Sequence, residues 1–531
     1  MARKGSSKVR TGCLTCKVRR VKCDEAKPNC LRCSSAGRVC DGYQPPAPPA
    51  SNQLRLLKPQ SLFPSIDKQE SRALQFFCEM VSLNLPGATD PYFWTHLVIQ
   101  FSRYEPAVRH SIIAISSLYE DIIRVQDSPF GARTDHVQNN ALTLRHYNAA
   151  IKELKGMQNP GLVLLVCLLF ICIEILQNNR ETALRHCSHG IAILANSESA
   201  SFKWVRQYLT PLFRRLSALP FFFGSSEADV IDLTISRYPV PPSFYSQSEA
   251  ENMVEDILNQ ALLLIRHGYS FRVGQNHHEP IPPELLKEQE RILCLAKQWY
   301  DMFTDLEARH RVQKTSVARA LTLARYRISL VWATEAFART EMGYDGYEEE
   351  FRKIIEDTAE AATMENGESL KTRPAFEMGF ITPLFFCAHR CRVLHLRLKA
   401  LQLIKIFAAP RESLWEKDGM YALARRIIEI EHGLTLDDDG RPCLGAVPIY
   451  PGLPPEEARV WHFCVEFASG RQETFFGHGA RGSQVLLFMR NRSGKIYLRP
   501  EILTDEPAHL PTVGEGRAEK TLFIVKYEAN P

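Results

Sequence analysis

Residues 13–40 read CLTCKVRRVKCDEAKPNCLRCSSAGRVC, and six of them are cysteine: Cys13, Cys16, Cys23, Cys30, Cys33 and Cys40. The spacing is C-x2-C-x6-C twice over, CLTCKVRRVKC at 13–23 and CLRCSSAGRVC at 30–40, an internal duplication. Two thiolates separated by two residues on a tight turn can grip one metal ion, and zinc prefers about four ligands. Two zinc ions therefore need about eight ligand positions, which six thiolates fill only if two of them bridge both metals. The result would be one binuclear cluster replacing the apolar core that so short a segment cannot build.

A disulfide knot is the other use of six cysteines. The opening MARKGSSKVR lacks the apolar stretch of a secretion signal, which argues against export. Nine further cysteines (78, 167, 172, 187, 294, 387, 391, 443 and 464) are scattered, mostly in apolar runs. They read as small hydrophobes in a reducing compartment, so zinc is the expectation.

The cysteine pattern, the basic run Lys17-Val18-Arg19-Arg20-Val21-Lys22 and the Lys27-Pro28 loop together resemble the fungal zinc binuclear-cluster, Zn(2)-C6, transcription factors. The resemblance implies two zinc ions held by the six cysteines, with Cys13 and Cys30, the first of each half, as the bridging pair; spacing alone does not single them out. It implies that the short helix begun by the first CxxC enters the major groove of double-stranded DNA. Residues at the positions of Arg19 and Arg20 would then read a CGG-type triplet. Arginine suits that task because its guanidinium can donate two hydrogen bonds to guanine O6 and N7. Lys17, Arg19, Arg20 and Lys22 are the DNA-binding candidates, and the second half carries Ser34-Ser35-Ala36-Gly37-Arg38-Val39 at the matching positions. The bland reading of the basic run is a solvated surface or a nuclear-import signal, and import is compatible with DNA binding. Pro28 shapes the loop between the halves, in the family often through a cis bond.

Charge points the same way. The chain of 531 residues carries a formal +5, yet residues 1–42 hold eleven Lys or Arg against three acids, a local +8 that leaves −3 for the rest. The phosphate-binding surface is thus the small amino-terminal module. The most hydrophobic stretch, GLVLLVCLLFICIEIL at 161–176, falls short of the ~20 residues that span a bilayer and contains Glu174, so it reads as a buried helix and no membrane partner is expected.

Four segments follow from this reading: a zinc-cluster DNA-binding domain at 9–43, a proline-rich linker at 44–66, a mainly α-helical regulatory domain at 67–503 and a tail at 504–531. Pro59 and Pro64 interrupt the linker, no sustained heptad follows, and the oligomeric state stays open. Apolar periodicity places helices at 67–84, 91–102, 106–126, 134–156, 160–178, 181–197, 203–218, 249–267, 283–309, 312–341, 347–365, 383–407 and 417–433. Asp90-Pro91 and Pro106 are helix-start signals. Looser stretches resemble the regulatory region of the same family: Phe93-Trp94 through His110, Ala183 through Gly190, and GFITPLFFCAHRCR at 379–392. Alternation within 459–469 and 483–498, around a turn at Arg492-Ser493-Gly494, predicts a small β-hairpin region at about 455–503, and TLFIVKY at 521–527 could add a strand.

Other motifs carry less. Gly477-His478-Gly479-Ala480-Arg481-Gly482 matches GxGxxG but lacks the strand and helix a nucleotide site needs. His186, Cys187 and His189 share one apolar helix and read as packing, as do Cys387 and Cys391. The sequon Asn491-Arg492-Ser493 has no use without secretion. The chain shows no GxSxG, HExxH or phosphate loop, and no enzyme is expected. The function implied is sequence-specific regulation of transcription in the nucleus, with the transcription machinery or co-regulators as protein partners and a metabolic or biosynthetic gene set as target. A metabolite receptor or enzyme-like helical domain, using the cluster as a targeting module, is the alternative.

Overall fold

The computed structural model describes residues 11–42, 67–126 apart from 88 and 90, 141–196, 202–223, 239–272, 276–310, 317–364, 373–466 and 483–503. It divides into two compact units, Met1–Ile66 and Asp67–Pro531.

The first unit holds two short helices, α1 (Leu14–Val18) and α2 (Leu31–Ser34), one in each half of the duplication. Their starts are alike. The Cys13 sulfur accepts from the Cys16 amide and the Cys30 sulfur from the Cys33 amide, each at 3.3 Å. The first cysteine of each half therefore takes the N-cap role that a serine or aspartate usually fills.

The second unit is mainly helical. Pro160–Leu176 is buried nearly all round, as its unbroken apolar sequence requires, and Asn159 caps it from both Gly161 and Leu162. Gln247–Arg272, Pro283–His310 and Val317–Thr334 pack around Phe244, Trp299 and Phe303. A larger core joins Glu348–Met364, Ile381–Arg390, Leu394–Phe407 and Lys417–His432 to one face of a sheet through Val460, Val485, Leu487, Met489 and Leu503. Helix Lys417–His432 stops at Gly433, whose left-handed backbone (φ 62°) returns its amide to the Glu429 carbonyl. Among the described residues no helix is long and apolar enough to cross a membrane.

The small antiparallel sheets lie where alternation placed strands, with one addition. β1 (Arg411–Glu412) and β2 (Trp415–Glu416) form a two-residue ladder that apolar periodicity did not reveal. β3 (Val460–Glu466), β4 (Ser483–Arg490) and β5 (Ile496–Leu503) run in that order, β4 in the centre. Asn491 tightens the β4–β5 turn by accepting from Ser493 and Lys495, and Gly494 takes φ 81° there. The GxGxxG stretch, Asp90 and TLFIVKY lie outside the described residues.

The sequence suggested one helix over 383–407; the structure breaks it at Cys391–Val393. The broken turn loses two carbonyls to arginine: Arg397 Nε takes Ala388 O at 2.7 Å and Arg392 Nη1 takes Arg390 O at 2.8 Å. The same break sends the buried Arg392 to Glu341 at 3.1 Å and to Glu431 at 3.4 Å, while Arg397 meets Glu431 at 2.6 Å. Glu431 also accepts the Val460 amide at 2.7 Å, tying β3 to the helical body.

Candidate zinc centre and DNA-reading face

The six sulfurs converge from both halves of the module. Those of Cys13, Cys16, Cys23 and Cys30 lie within 4.8 Å of one another, and so do those of Cys13, Cys30, Cys33 and Cys40. Cys13 and Cys30 belong to both groups and stand 3.6 Å apart. Sulfurs at about 2.3 Å from a tetrahedral zinc are about 3.8 Å from each other. Cys16 lies 3.7 Å from Cys30, and Cys13 lies 3.8 Å from Cys33. The donor set thus fits two zinc ions, four sulfurs to each with two shared. The pair that the spacing left undetermined is distinguished by geometry.

The remaining polar groups tie this shell together. Burial pushes the Cys13 thiol up to about 12 and raises Cys16 and Cys30 as well, so metal entry must displace protons. Amides of Cys13 and Glu25 point at the Cys23 sulfur at 3.5 and 3.4 Å, where they favour a thiolate. Asp24 caps α2 by accepting from Leu31 and Arg32 at 2.9 and 3.2 Å. Partial desolvation opposes its ionisation, but the Arg32 and Leu31 amides outweigh it and hold Asp24 below the ordinary carboxylate range. Thr15 Oγ1 donates to Asp41 at 2.8 Å and takes the Asp41 amide at 2.9 Å, and the Leu14 amide reaches Gly42 O at 2.9 Å, closing the second half onto the first. Gly12 leaves no room for a side chain, since a Cβ there would stand 2.9 Å from the Cys23 Cβ. The Lys27–Pro28 bond is cis.

Lys17, Arg20 and Lys22 are exposed, whereas Arg19 is half-buried, with Nη1 enclosed and lacking a hydrogen-bond partner among the described residues. Arg20 lies just past the end of α1 with φ 57°. Its amide returns to Lys17 O and the Val21 amide to Cys16 O, both at 3.1 Å, the paired bonds of a left-handed helix stop. Sequence reasoning missed this backbone state, although Gly37 at the matching position of the second half was its signal. The roles of Asp24 and Asp41 were also missed; both lie next to a cysteine.

Elsewhere the second metal cluster that His186, Cys187 and His189 could have suggested is not assembled among the described residues. His186 Nε2 faces the Tyr147 hydroxyl at 3.5 Å, while the Cys187 thiol donates to Leu216 O at 3.3 Å.

Comparison with known proteins places the module. A profile of the fungal Zn(2)-Cys(6) binuclear cluster domain, a domain that binds two zinc ions, matches residues 11–49. The chain is 29% identical over 345 residues to the aspercryptin biosynthesis cluster-specific transcription regulator atnN of Emericella nidulans, covering 56% of this chain and 53% of that protein. It is 28% identical over 207 residues to the transcription regulator lscL of Purpureocillium lilacinum, 34% of this chain and 48% of that one. It is 58% identical over 36 residues to the transcriptional regulatory protein moc3 of Schizosaccharomyces pombe, 7% of each. The chain spans about half the length of the first two relatives. No solved structure matches. Residues 11–49 are thus matched by the fungal Zn(2)-Cys(6) binuclear cluster domain, and the chain is similar to fungal transcription regulators.

Proposed function

We propose that the chain is a nuclear, sequence-specific regulator of transcription whose zinc module reads a CGG-type triplet in double-stranded DNA. Cys13, Cys16, Cys23, Cys30, Cys33 and Cys40 hold two zinc ions, Cys13 and Cys30 bridging, and the metals supply the rigidity that a core would supply elsewhere. Lys17 and Lys22 position the module on phosphates; Arg20, with Arg19 second, reads guanine. The observation that carries this reading is the asymmetry of the two halves. One duplicated backbone presents exposed Lys17, Arg20 and Lys22, the other Ser34, Gly37 and Val39. The second half keeps exposed Arg32 and Arg38, but its positions matching Lys17, Arg20 and Lys22 carry no charge.

The helical body, Asp67–Pro531, is the regulatory part, communicating with the transcription machinery or co-regulators. The name of the Emericella relative, specific to a biosynthesis cluster, supports a biosynthetic gene set as the target. The test is selection of duplexes from a randomised pool by the full-length, zinc-loaded protein, followed by titration at rising salt. Recovery of a CGG triplet, with affinity falling by a log–log slope of roughly −0.9 per phosphate contact, is the expected result. A pool without sequence preference would exclude the reading.

A further inference from the structure

Val18 ends α1 with 83% of its surface exposed, between Lys17 and Arg19. Its counterpart in the second half is Ser35, a polar residue suited to a helix end in water. Two residues past Cys16 is about half a turn of helix, so the Val18 side chain projects away from the sulfur cluster rather than toward it. A lone exposed valine is ordinary on a protein surface. This one stands among cations on the half-repeat that carries the reading arginine, where its second-half counterpart is hydrophilic. In the major groove an apolar side chain finds one apolar partner on the base edges, the C5-methyl group of thymine.

We propose that Val18 is a specificity-determining residue that packs against a thymine methyl beside the triplet. This rests on the reading that the α1 face meets DNA. A CGG triplet contains only cytosine and guanine on its two strands, so the methyl belongs to a flanking base pair. Val18 thereby extends recognition past the bases that arginine can reach, and selects A·T over G·C at that step.

The test uses the full-length, zinc-loaded protein and the duplex it selects from a randomised pool. Each thymine is replaced in turn by deoxyuridine, which keeps the pairing edge and lacks only the methyl. One replacement should weaken wild-type binding about three- to fivefold, the effect of burying one methyl-sized group. Val18→Ser, checked to retain two zinc ions, should bind the thymine duplex about as weakly as wild type binds the deoxyuridine duplex, and should be indifferent to the replacement. Val39→Ser, which alters the similarly exposed valine of the second half, should behave as wild type. The proposal is overturned if no replacement matters, or if Val18→Ser keeps the wild-type sensitivity. A selected duplex without CGG would instead refute the triplet reading, and the deoxyuridine comparison would still judge Val18 on that duplex.

Discussion

Arg20 and Gly37 occupy the same position in the two halves of the module and share a left-handed backbone, at φ 57° and 62°. The hydrogen bonds match: Arg20 to Lys17 O and Val21 to Cys16 O in one half, Gly37 to Ser34 O and Arg38 to Cys33 O in the other. Glycine adopts this state without steric penalty, whereas a residue with a Cβ is held there against a cost of about 1 kcal/mol. One half keeps the residue that the backbone favours, and the other keeps an arginine. Strain of this kind points to a functional role for the side chain.

Arg20→Gly and Arg20→Ala both remove the guanidinium, and only the first relieves the backbone. The glycine variant should therefore be the more stable by ~1 kcal/mol, read as slower zinc loss to a chelator from the full-length protein. Equal or faster loss from the glycine variant would contradict the strain assignment.

Loss of a shared sulfur should differ from loss of an unshared one. Cys13→Ala or Cys30→Ala removes a donor from both four-sulfur groups, whereas Cys40→Ala removes one from a single group. Elemental analysis should find zinc content collapsing toward zero in the first two and about one ion per chain retained in the third. Equal losses at Cys13 and Cys40 would argue against shared ligation.

In the helical body, Glu412 is buried beneath the start of helix Ile381–Arg390, accepting amides of Gly379 and Ile381 at 3.1 and 2.7 Å. Burial raises its pKa to about 7, only partly opposed by those amides. A carboxyl whose folded pKa is raised stabilises the fold relatively at low pH, and that advantage is lost as pH rises from the ordinary carboxyl range through about 7. Glu412→Gln should remove this decline. Its thermal stability relative to wild type should rise between pH 5 and pH 8, by up to ~3 kcal/mol. A difference independent of pH would refute the assignment.

Glu431 is fully buried between Arg392 and Arg397. Glu431→Ala would strip the buried Arg397 of its carboxylate partner, leave Arg392 with Glu341 alone and free the Val460 amide. A destabilisation of about 3–5 kcal/mol is expected in denaturant unfolding of the body. A loss below about 1 kcal/mol would mean the network relaxes onto Glu341.

Much of this was legible from local sequence. The cysteines declare themselves because metal ligation by paired thiolates is set by spacing along the chain. Long helices such as Pro160–Leu176 and Pro283–His310 show in uninterrupted or periodic apolar residues. Most features that escaped depend on partners distant in sequence. That Cys13 and Cys30 fall in both four-sulfur groups emerges only when the halves fold together. The break at Cys391–Val393 goes with buried contacts of Arg392 and Arg397 to Glu341 and Glu431, which lie 34 and more residues away. The ladder at Arg411–Glu416 is too short for alternation to register.

The central claim is that Arg20 reads bases while Lys17 and Lys22 hold phosphates. The most direct measurement is titration of full-length wild type, Arg20→Ala and Lys22→Ala on a CGG duplex and on a scrambled one. Arg20→Ala should lose about 1–3 kcal/mol on the CGG duplex alone, narrowing the gap between the two DNAs. Lys22→Ala should weaken both alike and reduce the salt slope by about one contact. An unchanged specific-to-scrambled ratio in Arg20→Ala would contradict the account.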